Sequence, residues 1–317
     1  VHELPPGSSA SDVKVYIRTI ANVQPIANGD VQRTRALSNM LPCMLRTART
    51  SSIDGTQIAF SEWGNPQGPA VVLIHGWLFS RAAFERQVNG ELAERCRVIA
   101  YDLRGHGESA KPDNPAAYAD GNLWAADLDC VVQAVGMERP VLAGWSLGGR
   151  VAVHYVYVRG VDSVSGLNVI AARVLQPPGA AIKRESSGGE ITSASQAEST
   201  SATARFVRAC MRQPLSPDEE QPFLEVAMAV PLVARQGASS WHIDYGSYFD
   251  DLALPTLVTH GDSDSLTSPL AAENIARRLR GKLSIYPNCG HMPFREAPER
   301  FNHELAEFAH QAQRQRA

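Results

Sequence analysis

Short apolar runs at 70–74, 97–101, 140–143 and 167–170, rich in Val, Leu and Ile and separated by helix-length segments, constrain this chain more than any other feature. Strands that are apolar on both faces and alternate with helices belong to a parallel sheet, because each crossover helix packs back onto it and covers a face. An Asp54-Gly55 turn between two extended runs, the second at 57–63, adds an opening hairpin. Helices are expected at 81–93, 118–135 and 147–159. Further on, 255–260 and 282–286 read as strands, 271–279 as a helix and 298–311 as a closing amphipathic helix. The expected class is α/β, with a mostly parallel, eight-stranded sheet and helices on both faces.

Regularity fails between 176 and 250. Ser, Thr, Gly and Ala dominate 186–202, apolar residues return at helical spacing over 204–211 and 223–233, and Gly237-Ala238-Ser239-Ser240 interrupts them. This stretch reads as a small helical cap inserted into one sheet domain, whose two parts are 49–175 and 251–317. Residues 1–48 differ again: Pro5-Pro6-Gly7-Ser8-Ser9 is loop-like, and 31–50 carries Arg33, Arg35, Arg46 and Arg49 with no acid. That composition suits an N-terminal arm or a processed leader.

A chain of 317 residues, 44% hydrophobic and 20% charged, can bury a sizeable core. Its formal charge of −3 supplies no basic field for phosphates, which argues against nucleic acid and for a small-molecule substrate. No apolar run approaches the roughly eighteen residues that a membrane span needs, so a soluble protein is expected. Cys43, Cys96, Cys130, Cys210 and Cys289 are odd in number and lack paired spacing. They read as buried free thiols of a reducing, cytoplasmic protein, with export by a leader left open. No His-Glu-x-x-His or Cys-x-x-Cys pattern occurs. Asp262, Asp264 and Glu273 echo a calcium loop, but Leu266 and Thr267 stand where an oxygen ligand and a glycine are required. No metal and no cofactor is therefore expected, and nothing in the pattern fixes an oligomeric state.

Chemistry concentrates at Gly144-Trp145-Ser146-Leu147-Gly148-Gly149, between an apolar strand and a helix. Glycines two before and two after Ser146 allow a turn sharp enough to lift the serine hydroxyl clear of the sheet. Such a hydroxyl needs a base, and the base needs an acid to fix its tautomer. His291, in Cys289-Gly290-His291-Met292-Pro293 just past the strand at 282–286, is the candidate base. For the acid, Asp262 and Asp264 compete; Asp264 lies three residues past Gly261 and has room to turn towards His291, whereas Asp262 suits a turn cap. Backbone N–H groups of Leu147, at the helix start, and of Trp77, in His75-Gly76-Trp77-Leu78, are the candidate oxyanion donors. Trp77 and Trp145 are expected to flank Ser146 as an apolar substrate pocket. The aromatic and methionine side chains of 204–248 either line a lid or pack the cap onto the core. The remaining histidines, His2, His75, His106, His154, His303 and His310 among them, read as packing or surface groups.

The run His75-Gly76-Trp77, then Tyr101-Asp102-Leu103-Arg104-Gly105-His106-Gly107-Glu108-Ser109, then the Ser146 turn and finally Gly290-His291, resembles the α/β-hydrolase superfamily over about residues 50–312. The resemblance implies the α/β-hydrolase fold and the chain order nucleophile, acid, histidine, which Ser146, Asp264 and His291 obey. It is similar in particular to short-capped, cofactor-free esterases of the non-haem haloperoxidase and pimeloyl-acyl-carrier methyl esterase kind. Haloalkane dehalogenases and epoxide hydrolases carry aspartate at the turn and dienelactone hydrolases cysteine; serine here sets the chain apart from all three. The expectation is a serine hydrolase that cleaves a carboxylic ester of a small, largely apolar substrate. A lactonase or carbon-carbon bond hydrolase with the same triad, and a ligand receptor on a hydrolase scaffold, remain alternatives.

Overall fold

A computed structural model describes residues 44–174, 187–241, 243, 245, 247–250 and 253–316. The eight strands are β1 (Met44–Ser51), β2 (Gln57–Gly64), β3 (Ala70–Ile74), β4 (Arg97–Tyr101), β5 (Val141–Trp145), β6 (Gly166–Ile170), β7 (Thr256–Gly261) and β8 (Lys282–Tyr286). They form one sheet in the order β1-β2-β4-β3-β5-β6-β7-β8. The β1/β2 and β2/β4 pairs are antiparallel and every pair from β4 onward is parallel. Ile74 lies level with Tyr101 and Gly144, Trp145 with Ile170, and Gly261 with Tyr286, so the loops after these strands open along one edge of the sheet. In open parallel sheets, that edge is where ligands bind.

The central strands match their apolar runs because burial on both faces leaves no choice of side-chain type. Val71, Val72, Leu73 and Ile74 are all 0% exposed, each worth about 1.5–3 kcal/mol over an exposed position. β1 obeys no such rule. It begins inside the expected arm at 1–48, a correction to that boundary, because it is an edge strand held by polar cross-strand pairs. Arg46 Nε reaches Glu62 at 2.7 Å and Thr47 Oγ1 lies 2.9 Å from Ser61 Oγ. Residues 1–43 of that arm, Cys43 included, lie outside the described residues.

The expected helix at 81–93 is instead a 3-10 turn, Arg81–Phe84, followed by short helices Glu85–Val88 and Glu91–Arg95 that break at Asn89-Gly90. The stretch at 118–135 divides at Asp120, whose carboxylate accepts the Asn122 N–H and caps α1 (Gly121–Ala134). α2 (Leu147–Arg159) follows Ser146 directly.

In the cap, the Ser- and Thr-rich stretch is helical where irregular chain was expected: Ser187–Ile191, then α3 (Gln196–Ala209), with Ser195 capping the latter. The polar composition has an internal use. Arg235, 6% exposed, donates to Ser199 Oγ at 3.0 Å, Thr203 Oγ1 at 2.9 Å and Val230 O at 2.8 Å. Those hydroxyls donate onward to Ile191 O and Ser199 O. Hydroxyls thus satisfy a buried cation that an apolar helix face could not. α4 (Pro217–Met228) opens with a Ser216/Glu219 capping box, and α5 (Leu232–Ser240) runs through the Gly237 to Ser240 stretch expected to interrupt it. α6 (Pro269–Arg278) and α7 (Pro298–Arg316) complete the second part of the core. Cys96, Cys130, Cys210 and Cys289 are free thiols. Among the described residues, no helix is long and apolar enough to cross a membrane.

Candidate active site

Ser146 sits at φ 54° and ψ −112°, a left-handed conformation that a residue with a Cβ resists. Such strain costs about 1–3 kcal/mol and is retained only where the surroundings over-determine it. Here they do. A Cβ on Gly144 would lie 2.4 Å from Gly148 O, and one on Gly148 would lie 2.2 Å from Ile74 O. Strand, turn and helix therefore meet backbone to backbone, which only glycine permits. The Ser146 N–H donates to Ile170 O at 2.9 Å. Trp145 and Leu147 are buried, while Ser146 itself is partly exposed.

The loops after β7 and β8 bring Asp264 and His291 together: His291 Nδ1 lies 2.7 Å from Asp264 Oδ2. Asp264 Oδ1 accepts the backbone N–H groups of Leu266 at 2.8 Å and Thr267 at 2.9 Å. Burial by itself pushes the Asp264 carboxyl up, but His291, His260 and the Thr267 N–H outweigh it and hold the group below the ordinary carboxylate value. Asp262 is exposed and accepts from its neighbour Ser263 at 2.8 Å; among the described residues its carboxylate makes no hydrogen bond to His291. His260 had no expected role, yet its Nε2 lies 2.9 Å from Thr267 O and 3.4 Å from Asp264 Oδ2. Its position just before the strand-closing Gly261 is the one sequence signal that pointed to it.

His291 is 2% exposed and held through its backbone from two sides. Its N–H donates to Cys210 O at 3.0 Å, and its carbonyl accepts from Trp145 Nε1 at 2.7 Å. The second bond connects the histidine loop to the residue preceding Ser146. Trp145 does not face a pocket as expected. It is 1% exposed, with its ring packed between Phe79 at 4.8 Å and Phe294 at 5.2 Å, because its indole N–H is committed to the histidine loop.

The loop after β3 approaches the same edge. Gly76 passes directly over the Trp145 ring, and Leu78 is held at φ 67°. The Trp77 N–H donates to no backbone carbonyl among the described residues, and the Leu147 N–H, first in α2, has no acceptor within its helix. The Trp77 ring is half-buried against the edge of Phe206 from α3, centroids 5.8 Å apart. His75 and His106 frame this loop. His75 Nδ1 donates to Gly76 O at 2.8 Å while Nε2 accepts the Leu103 N–H at 3.0 Å. Burial pushes both imidazoles down to about 3, so they stay neutral packing groups. Asp102 accepts from Arg81 N and Glu108 N and pairs with the Arg81 guanidinium.

His154 packs on Trp241, and Trp241 stacks on Trp124 with ring planes 9° apart, so these groups join cap to core. His303 is an exposed partner of Glu91, and His2 lies outside the described residues. Among the described residues, no group of three or more His, Cys, Asp or Glu could hold a metal.

A protein-family model described as the alpha/beta hydrolase family matches residues 71–304. The chain belongs to the α/β-hydrolase family. Within it, the chain is similar to the AB hydrolase superfamily protein YisY of Bacillus subtilis, 27% identical over 250 residues that cover 76% of this chain and 92% of that one. The pimeloyl-[acyl-carrier protein] methyl ester esterase of Vibrio vulnificus is 28% identical over 263 residues, or 77% and 95% of the two chains. A putative aryl esterase from Burkholderia cenocepacia superposes with a TM-score of 0.78 at 28% identity, covering 84% of this α/β-hydrolase and 99% of that chain.

Proposed function

We propose that this α/β-hydrolase is a serine hydrolase that cleaves carboxylic esters of small, largely apolar substrates through an acyl-enzyme. The observation that carries the reading is the 2.7 Å Asp264–His291 bond, on a loop tied through Trp145 to the strained Ser146 turn. An ionised carboxylate at Nδ1 holds the proton there and leaves Nε2 as the basic nitrogen. His291 takes the Ser146 proton as the hydroxyl attacks the ester carbonyl, and the two carbon-oxygen electrons settle on the carbonyl oxygen. The N–H groups of Trp77 and Leu147 stabilise that oxyanion, each worth about 3–4 kcal/mol in such a site. Collapse of the adduct expels the alcohol, which receives the proton from His291. A water deprotonated by His291 then releases the acid and regenerates Ser146.

Trp77 and Phe206 supply apolar surface at the junction of oxyanion loop and cap, which favours a modest uncharged group there. Esterases named among its similar proteins agree with the choice of bond. A fluorophosphonate probe tests the nucleophile: it should label the wild type and fail to label Ser146→Ala. That variant should retain its fold and lose at least about 10³-fold in kcat on p-nitrophenyl esters. Near-normal turnover by Ser146→Ala ends the proposal. Fast lactone or vinylogous diketone cleavage without ester turnover would keep the nucleophile and replace the substrate.

A further inference from the structure

Glu296 lies in the short helix after the histidine loop, Pro293–Glu296, and plays no part in the chemistry above. Its carboxylate is nonetheless spent on two separate backbone segments. Oε2 accepts the Gly290 N–H at 2.6 Å, one residue before His291. Oε1 accepts the Arg212 N–H at 2.8 Å and lies 3.4 Å from Gln213 N, in the turn that leaves cap helix α3. The same cap turn supplies Cys210 O, which accepts the His291 N–H at 3.0 Å. Contact there is close: a Cβ on Gly290 would fall 2.8 Å from Arg212 N and 3.2 Å from Cys210 O, so the two segments touch backbone to backbone.

Two successive N–H groups of the histidine loop, Gly290 and His291, are thus fixed by acceptors that also fix, or belong to, the 210–213 turn of the cap. Trp145 constrains the His291 carbonyl from the core side. The imidazole direction is then set by three hydrogen bonds on consecutive peptide units. We propose that Glu296 is a positioning residue, clamping the cap turn at 210–213 to Gly290 and so aiming the His291 ring at Ser146. This inference rests on the triad reading. Loosening the clamp leaves Asp264 and the substrate walls in place but lets the ring shift against the Asp264 carboxylate. A misplacement of about 1 Å costs on the order of 10²-fold in rate.

Glu296→Gln tests it, since the amide keeps the shape and one accepting oxygen but turns a donor towards the other N–H. Glu296→Asp, which retains charge but is too short to span both segments, provides a second variant should the first not fold. The expected result is a 10- to 100-fold loss of kcat, by about the range above, with KM within about twofold. The low-field proton resonance of the His291 Nδ1–H bond should broaden or shift as well. A folded variant with wild-type kcat, or with reduced kcat and an unmoved resonance, overturns the role of Glu296. Ser146→Ala and Asp264→Asn serve as controls in the same assay. If they stay active, the triad reading fails; if they are inactive while Glu296→Gln is normal, only the clamp does.

Discussion

Asp264→Asn is a sharper test than removal of the side chain, because the structure dictates which way the amide must face. Oδ1 accepts two backbone N–H groups, from Leu266 and Thr267, so only the carbonyl oxygen of asparagine can occupy its place. The amide nitrogen is then forced into the Oδ2 position, 2.7 Å from His291 Nδ1. Two N–H donors cannot meet there, so His291 must move its proton to Nε2 and present a donor to Ser146 instead of an acceptor. Catalysis by the wrong tautomer is about 10⁴-fold slower in a serine-histidine-aspartate site, equivalent to about 5 kcal/mol of barrier. The fold should survive, since both Oδ1 bonds remain. Steady-state turnover of a p-nitrophenyl ester, beside a thermal melt, reads both quantities. Asp262→Asn, at the exposed carboxylate, should stay within about twofold of wild type. Loss of less than about 10-fold in Asp264→Asn, or equal damage from Asp262→Asn, would refute this chain of reasoning.

Acid should destabilise the protein through its buried imidazoles. His75 and His106 have values near 3 in the fold against 6.5 unfolded, so between those limits the unfolded chain holds protons that the native state does not. Each group then removes about 1.4 kcal/mol per pH unit as pH falls through that window, and His75→Gln should flatten the slope in urea melts; an unchanged slope rejects the assignment. Asp127→Ala removes the fully buried one of two carboxylate partners from Arg104, whose guanidinium is 0% exposed, bonded twice to Asp127 at 2.6 Å and once to Asp54 at 3.0 Å. With Asp54 still in place, the loss should be about 1.5–3 kcal/mol, and a loss under about 0.5 kcal/mol by denaturant melt would contradict it.

How much of this was legible in the sequence follows from what each residue answers to. β3 and β4 occupy their expected spans because strands inside the sheet, buried on both faces, are specified by hydrophobicity alone, and the edge strand β8 keeps its expected span as well. α2 was legible from Ser146 itself, whose turn fixes the helix start. The β1/β2 hairpin is legible from the Asp54-Gly55 turn, but the start of β1 at Met44, ahead of Arg49, escaped because an edge strand paired through Arg46, Glu62, Thr47 and Ser61 carries no apolar period. The α3 stretch misled for the opposite reason: Ser199 and Thr203 look like loop residues until Arg235, more than thirty positions away, is known to need their hydroxyls. At the site, Asp264 and His291 could be chosen by spacing from strand ends. Trp145 could not be placed, because aromatic type says nothing about where an indole N–H finds its acceptor. Glu296 was likewise invisible, since its partners are backbone N–H groups that leave no mark in side-chain identity.

The order of the chain has a consequence for how the molecule comes into being. Ser146 is encoded before the cap, whereas Asp264 and His291 both follow it, the histidine just past the outermost strand β8. During synthesis the nucleophile turn can form once β5, β6 and α2 have emerged, yet the proposed base arrives only when the sheet gains its final edge. A nascent or C-terminally clipped chain is therefore inert on this reading, and activity reports a finished molecule. Splitting the gene within the cap would yield two silent fragments whose reunion switches hydrolysis on.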